Sequence, residues 1–160
     1  MDIINYPNYL IYDDGKVWSK KSNKFLKPSP NSGGYLQLVL YTGDGIKHSN
    51  KIHKLIGKHY IPNPENKLCI DHINGNITDN RLENLRWVNR QENSQNKKKQ
   101  SNNTTGYKGV SKDKRYNSYQ AIIFNEGKQI YLGSFPTAEE ASAVYETKAQ
   151  EIFGEFYRPQ

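Results

Sequence analysis

The chain has 160 residues, 34% of them apolar, and a formal charge of +7 from 23 Lys and Arg against 16 Asp and Glu. A mean hydropathy of −0.93 argues against one large core, and no apolar run is long enough to cross a membrane. The single Cys69 excludes a disulfide framework and a multi-cysteine zinc site within one chain, while a basic, Tyr-rich composition points to nucleic acid ahead of membrane lipid. The start MDIINYPNYLIYDDG lacks a basic–apolar–small pattern, so a cytoplasmic location is expected.

In chain order, YLIYDDGKVWS (9–19) sets two apolar segments around Asp14-Gly15, which predicts a hairpin. Within 24–45, Leu36, Leu38 and Leu40 alternate with Tyr35, Gln37, Val39 and Tyr41, as in a strand. The segment from Asn50 places Ile52, Leu55, Ile56 and Tyr60 at helical spacing and is ended by Pro62 and Pro64. Short strands follow at 68–73 and 85–88, separated by a Gly-, Asn- and Asp-rich loop. Asn89 with Glu92 resembles a capping box for a helix over 90–100.

That predicted helix, RQENSQNKKKQ, contains no apolar residue, so burial cannot dock it and something polar must. The stretch after Lys97, Lys98 and Lys99 reads as a linker, centred on 101–105. Beyond it, GYKGVSK, SYQAIIFN and QIYLGSF predict three strands, the last two joined at Glu126-Gly127. Thr137 with Glu140 then caps a helix that puts Ala141, Val144, Tyr145, Ala149 and Ile152 on one face and stops at Gly154. The expected organisation is an N-terminal β-rich region (1–49), a central module (50–100), the linker and a sheet domain (106–160).

Asp71-His72 joins a hard oxygen ligand to a side chain that exchanges a proton near neutral pH. Its setting, DHINGNITDNRLENLRWVNRQEN (71–93), resembles the ββα-metal (His-Me finger) motif of HNH endonucleases, in the form found among phage and intron-borne homing enzymes. The likeness extends more loosely back through IHKLIGKHYIPNPENK. It implies an α+β fold with a ββα-metal nuclease core. By position, Asp71 and Asn93 would hold a divalent cation, His72 would be the general base, and Asn84 would brace the loop and orient that base. Asn93 stands where many relatives have His, which suits Mg²⁺ or Mn²⁺ rather than zinc. Arg86, Arg90, Lys97 and Lys98 are candidate phosphate contacts. His53 matches a position often His in the family and is expected to lie near the site; His48 and His59 carry no such expectation. Because neighbouring strand residues face opposite sides, Asp71 and His72 would share a site only where the backbone breaks from regular strand.

The segment 106–159 resembles the three-strand-plus-helix DNA-binding domain of plant ethylene-response factors, through Tyr107-Lys108-Gly109-Val110, Tyr131-Leu132-Gly133-Ser134-Phe135 and Thr137-Ala138-Glu139-Glu140-Ala141. The resemblance implies a small antiparallel sheet packed on one helix, with the sheet entering the major groove. Lys108, Ser111, Lys114, Arg115, Tyr119, Lys128 and Tyr131 are the contacts it implies. Charge favours the same face: 106–135 holds five basic residues against two acidic, and 136–160 holds two against five. Several family arginines are Lys or Ser here, which favours backbone positioning over guanine readout. The resemblances together imply a homing-type DNA endonuclease that nicks double-stranded DNA as a monomer or DNA-induced dimer. The rival reading is a non-catalytic DNA-binding regulator derived from a nuclease.

Overall fold

A computed structural model describes residues 1–96 and 103–159. The chain divides into two compact units, Met1–Arg90 and Gln91–Gln160, each mixing helices with antiparallel sheet in an α+β fold.

In the first unit, β1 (Asp2–Ile3), β2 (Tyr6–Ile11), β3 (Val17–Ser19) and β4 (Lys24–Phe25) form a sequential antiparallel sheet. The predicted hairpin turns at Gly15, whose φ of +82° is one that side chains resist. A second sheet contains β5 (Ser29–Pro30), β6 (Leu36–Tyr41) and β7 (Lys47–Lys51). Leu38 and Leu40 point into the core while Val39 and Tyr41 face out, as their alternation predicts. The sequence KHSNK of β7 has no apolar residue and announces nothing. It is a strand because β6 pairs with it along its full length, from Gln37↔Lys51 to Tyr41↔Lys47.

β7 runs directly into α1 (Ile52–Tyr60), which buries Ile52, His53, Leu55 and Ile56 and is tied down by a Tyr60 hydroxyl donating to Ile11 O at 2.7 Å. Ile61, held extended by the following Pro62, ends the helix. β8 (Cys69–His72) and β9 (Leu85–Val88) pair as Cys69↔Val88, Ile70↔Trp87, Asp71↔Arg86 and His72↔Leu85. The helix lies close against this ribbon at Gly57, where a Cβ would meet Ile70 Cγ1 at 2.9 Å. One core, including Ile3, Ile11, Val17, Leu40, Ile56 and Leu85, runs through the N-terminal sheets, α1 and β9.

The helix α2 (Arg90–Gln95) begins at the last residue of the first unit and buries none of its residues. Its Gln91 amide donates to Asn125 Oδ1 at 2.9 Å, a polar attachment of the kind its composition demands. The helix stops at Gln95, before the buried Asn96, and residues 97–100 of the helix predicted over 90–100 lie outside the described residues. In the second unit, β10 (Val110–Asp113), β11 (Ser118–Asn125) and β12 (Lys128–Phe135) form an antiparallel sheet with a bulge between Ala121 and Ile122.

The sheet is backed by α3 (Ala138–Phe153), whose capping Thr137 Oγ1 accepts from Glu140 N at 3.2 Å. α3 ends at Gly154, as predicted. Its buried face is Ala138, Ala141, Ser142, Ala149 and Phe153, flanked by Tyr145 and Ile152. Val144, predicted on that face, instead lines an outer groove with Ala143 and Thr147, because the small alanines seat the helix through a neighbouring stripe. Gly109, at φ +65°, lies beneath the Tyr145 ring with Ile122 O only 2.8 Å from where a Cβ would be.

Candidate active site around His72

Both members of the Asp71-His72 pair are buried, His72 to 3% exposure. The β8–β9 ladder passes through them without irregularity, so no break in the strand brings them to one side. Alternation sends His72, with Ile70, toward α1 and sends Asp71 to the opposite face. The two groups therefore flank the end of β8. Asp71 Oδ2 accepts from Arg86 Nη2 at 3.2 Å and Nε at 3.3 Å, across one rung of the ladder. The Arg86 guanidinium, expected at a phosphate, is thus engaged by this carboxylate.

His72 Nε2 lies 3.1 Å from Asn80 Oδ1, while Asn80 Nδ2 donates to Thr78 O at 3.3 Å. The second bond fixes which end of the amide faces the ring. A carbonyl oxygen only accepts, so Asn80 offers Nε2 an acceptor and favours the tautomer with hydrogen on that nitrogen. The base-orienting role expected of Asn84 falls, in contact terms, to Asn80. Asn84 instead braces the loop. Its Oδ1 accepts from Asn74 N at 3.0 Å, its Nδ2 donates to Asp79 O at 2.7 Å, and its own carbonyl accepts from Ile73 N at 2.9 Å. Asp79 in turn holds Arg81 and Asn74, and the Arg81 hydrogen bonds keep its carboxyl well below the usual carboxylate range.

Beside His72 stand His53 of α1, with ring centroids 5.0 Å apart and planes at 72°, and Tyr35, at 5.1 Å from His53 and 6.1 Å from His72. Lys51 Nζ caps the Tyr35 ring at 4.5 Å. Burial, reinforced by His72, Lys51 and Lys54, pushes the His53 imidazole down to about 3, so it is neutral at physiological pH. His59 bonds Ile4 N and Leu55 O, and His48 packs edge-on to Tyr6; neither joins the cluster. Asn80 and Tyr35 were not legible as site residues. Asn80 is one of several Asn in a polar loop, and Tyr35 lies far back in the chain, just before β6.

Among the described residues no group of three His, Cys, Asp or Glu side chains could form a metal cage. The Asp71 carboxylate is a hard oxygen donor, of the kind Mg²⁺ or Mn²⁺ prefers. Asn93 lies half-buried on α2 in the second unit, and Arg90 is exposed at the start of that helix. Lys97 and Lys98 lie outside the described residues.

The seven sheet-domain candidates do not form one surface. Ser111 and Tyr131 project from the open face of the sheet, where Tyr131 is 57% exposed beside Ile122 and Phe124. Lys114 and Arg115 occupy the β10–β11 turn and Lys128 the end of the β11–β12 hairpin, all exposed. Tyr119 faces the other way, packed on the core of Val110, Ala121, Ala138 and Ala141. Lys108 is turned inward: its ammonium donates to Arg158 O at 2.6 Å and lies over the Tyr157 ring, and burial lowers its pKa.

Residues 50–95 match the family profile described as HNH endonuclease. The uncharacterized HNH endonuclease L245 of Acanthamoeba polyphaga mimivirus is 42% identical over 83 residues, 52% of this chain and 25% of that protein. The DNA endonuclease I-HmuI of Bacillus phage SP01 is 35% identical over 96 residues, 59% of this chain and 55% of that one. Protein 3.8 of Escherichia phage T7 is 38% identical over 89 residues, 56% of this chain and 73% of its own length. The chain thus spans a quarter of the mimivirus protein and about half of I-HmuI. A solved structure titled "DNA binding and cleavage by the HNH homing endonuclease I-HmuI" is similar over 88% of this chain and 79% of that one, at a TM-score of 0.57 and 26% identity. With the Asp71-His72 ribbon, its asparagine-braced loop and these likenesses in hand, the chain belongs to the HNH endonuclease family.

Proposed function

We propose that the protein is a metal-dependent DNA endonuclease of homing type, which nicks double-stranded DNA. The observation that carries this reading is the His72–Asn80 bond, which leaves Nδ1 of a buried, oriented imidazole as the proton acceptor. In-line displacement at phosphorus needs a base on the side of the attacking water and charge neutralisation on the side of the leaving oxygen. Asp71 and His72, on opposite faces of one strand end, match that division of labour. Asp71 and Asn93 would hold a hard cation that neutralises charge on the phosphoryl oxygens and the leaving 3′ oxygen when bound. His72 Nδ1 takes the proton from water, and Asn80 keeps Nε2 protonated throughout. Asn84 holds the loop that delivers Asn80.

Site preference belongs, in this reading, to the C-terminal sheet. Its open face presents Ser111, Phe124 and Tyr131 to a groove, while Lys114, Arg115 and Lys128 reach phosphates from the turns. The acidic α3 covers the opposite face, away from the polyanion. One motif per chain cuts one strand, so a double-strand break requires a second chain or a second binding event. No helix among the described residues is long and apolar enough to cross a membrane.

Supercoiled plasmid incubated with Mg²⁺ tests the assignment. Wild type should yield nicked circles and His72→Ala none; equal nicking by both, or by neither, rejects it.

A further inference from the structure

His53 is 4% exposed, yet its Nδ1 has no hydrogen-bond partner among the described residues. A buried polar atom left unpaired is a cost that an apolar side chain of similar size would not carry. The nitrogen therefore contributes nothing to holding α1 in place. Desolvation keeps the ring uncharged, so it contributes no ion pair. What the side chain offers its surroundings is a flat, rigid plate.

That plate stands against a specific neighbour. The His72 ring is held at Nε2 by Asn80, and the rings packed around it restrict its plane. His53 meets the ring edge-to-face at 5.0 Å, and Tyr35 leans on both at 5.1 and 6.1 Å. The three contacts come from α1, the loop before β9 and the residue preceding β6, so each constrains the ring from a different element. Tyr35 is itself held under the Lys51 ammonium. A side chain bounded in this way has one orientation, and catalytic geometry is lost with displacements of about 1 Å.

We infer that His53 is a positioning residue, a wall that acts by shape to hold the His72 imidazole in its working plane, and that its own nitrogens take no part in proton transfer. This rests on the nuclease reading above. Three variants separate the possibilities in the full chain, with plasmid nicking in Mg²⁺ followed under saturating and subsaturating DNA. His53→Leu fills the space without a flat ring and should lower kcat on the order of 10- to 100-fold with KM little changed. His53→Phe restores the plate without the nitrogens and should recover most of the kcat lost in His53→Leu. His53→Ala should be at least as impaired in kcat as His53→Leu. Thermal unfolding and DNA affinity of each variant show whether the loss is confined to the chemical step.

An unchanged kcat in His53→Leu overturns the inference. So does a His53→Phe enzyme as slow as His53→Leu, because that result assigns the role to the imidazole nitrogens. A KM that rises with the fall in kcat also overturns it, by placing His53 in DNA binding. His72→Ala in the same assay keeps the two levels apart. If His72→Ala cuts like wild type, the nuclease assignment itself fails; if His72→Ala is inactive while His53→Leu is fully active, only the wall fails.

Discussion

His72 Nε2 lies 3.1 Å from Asn80 Oδ1 across eight residues of chain, so a loop asparagine presents an acceptor to one nitrogen of a strand histidine. Asn80→Leu removes that acceptor while keeping the volume. It should lower the nicking rate on the order of 10- to 100-fold, as loss of an orienting partner commonly does, with plasmid binding unchanged. Single-turnover nicking beside a filter-binding isotherm checks it, and a rate within a factor of two of wild type would discount the tautomer argument.

Asp71→Asn should abolish nicking while DNA binding survives, and Asn93→Ala should do the same. The two differ in stability. Asp71→Asn removes the charge opposite the largely buried Arg86 and should cost about 1–3 kcal/mol in urea unfolding. Asn93→Ala, on a helix that buries none of its residues, should cost little. EDTA should stop nicking by the wild type.

The buried His53 makes the fold acid-sensitive in a defined window. Its folded pKa of about 3 lies below the ordinary imidazole value of 6.5, so between these values the unfolded chain binds a proton that the folded chain refuses. Its contribution to stability is complete above about pH 6.5 and is lost as the pH falls toward 3, at up to roughly 1.4 kcal/mol per pH unit. Urea midpoints measured from pH 7 to 4.5 should fall more steeply for wild type than for His53→Phe. Parallel curves would contradict the depressed pKa.

Lys108 and Arg115 should behave oppositely. Lys108→Met breaks the tie to Arg158 O and should lower the unfolding midpoint while leaving the salt dependence of DNA binding nearly intact. Arg115→Ala, at an exposed turn, should leave stability unchanged and reduce the slope of log K against log salt by about 1.

Gly109→Ala should be severely destabilising, on the order of 1–3 kcal/mol or more, because the added carbon meets the Tyr145 ring and the Ile122 carbonyl from a backbone at φ +65°. Circular dichroism melting of the full chain would report it.

How far the sequence leads depends on where the information sits. α1, β8, β9 and α3 carry their periodicity or motif in their own residues and are found where the patterns place them. β7 could not be read that way, since KHSNK is made a strand by its partner and not by its composition. Val144 looked like a core residue because periodicity marks a broad stripe, and only the packing of Ala138, Ala141 and Ala149 on the same helix reveals where its centre falls. In the site, the motif named Asp71, His72, Asn84 and Asn93 and its upstream extension put His53 nearby, but Asn80 and Tyr35, which also touch the His72 ring, come from two further segments. No linear spacing records their convergence. Lys108 and Tyr119 show the converse limit: a matching position in a sheet does not reveal which way its side chain turns.

The ribbon that carries Asp71 and His72 has only four paired rungs, too few to resist sliding by themselves. A slip of a single residue would exchange the carboxylate and the imidazole between its two sides. The knot of bonds from Asn84 to Asn74, Asp79 and Ile73 closes the loop at one length, and so works as a ratchet stop that preserves the handedness of the chemistry.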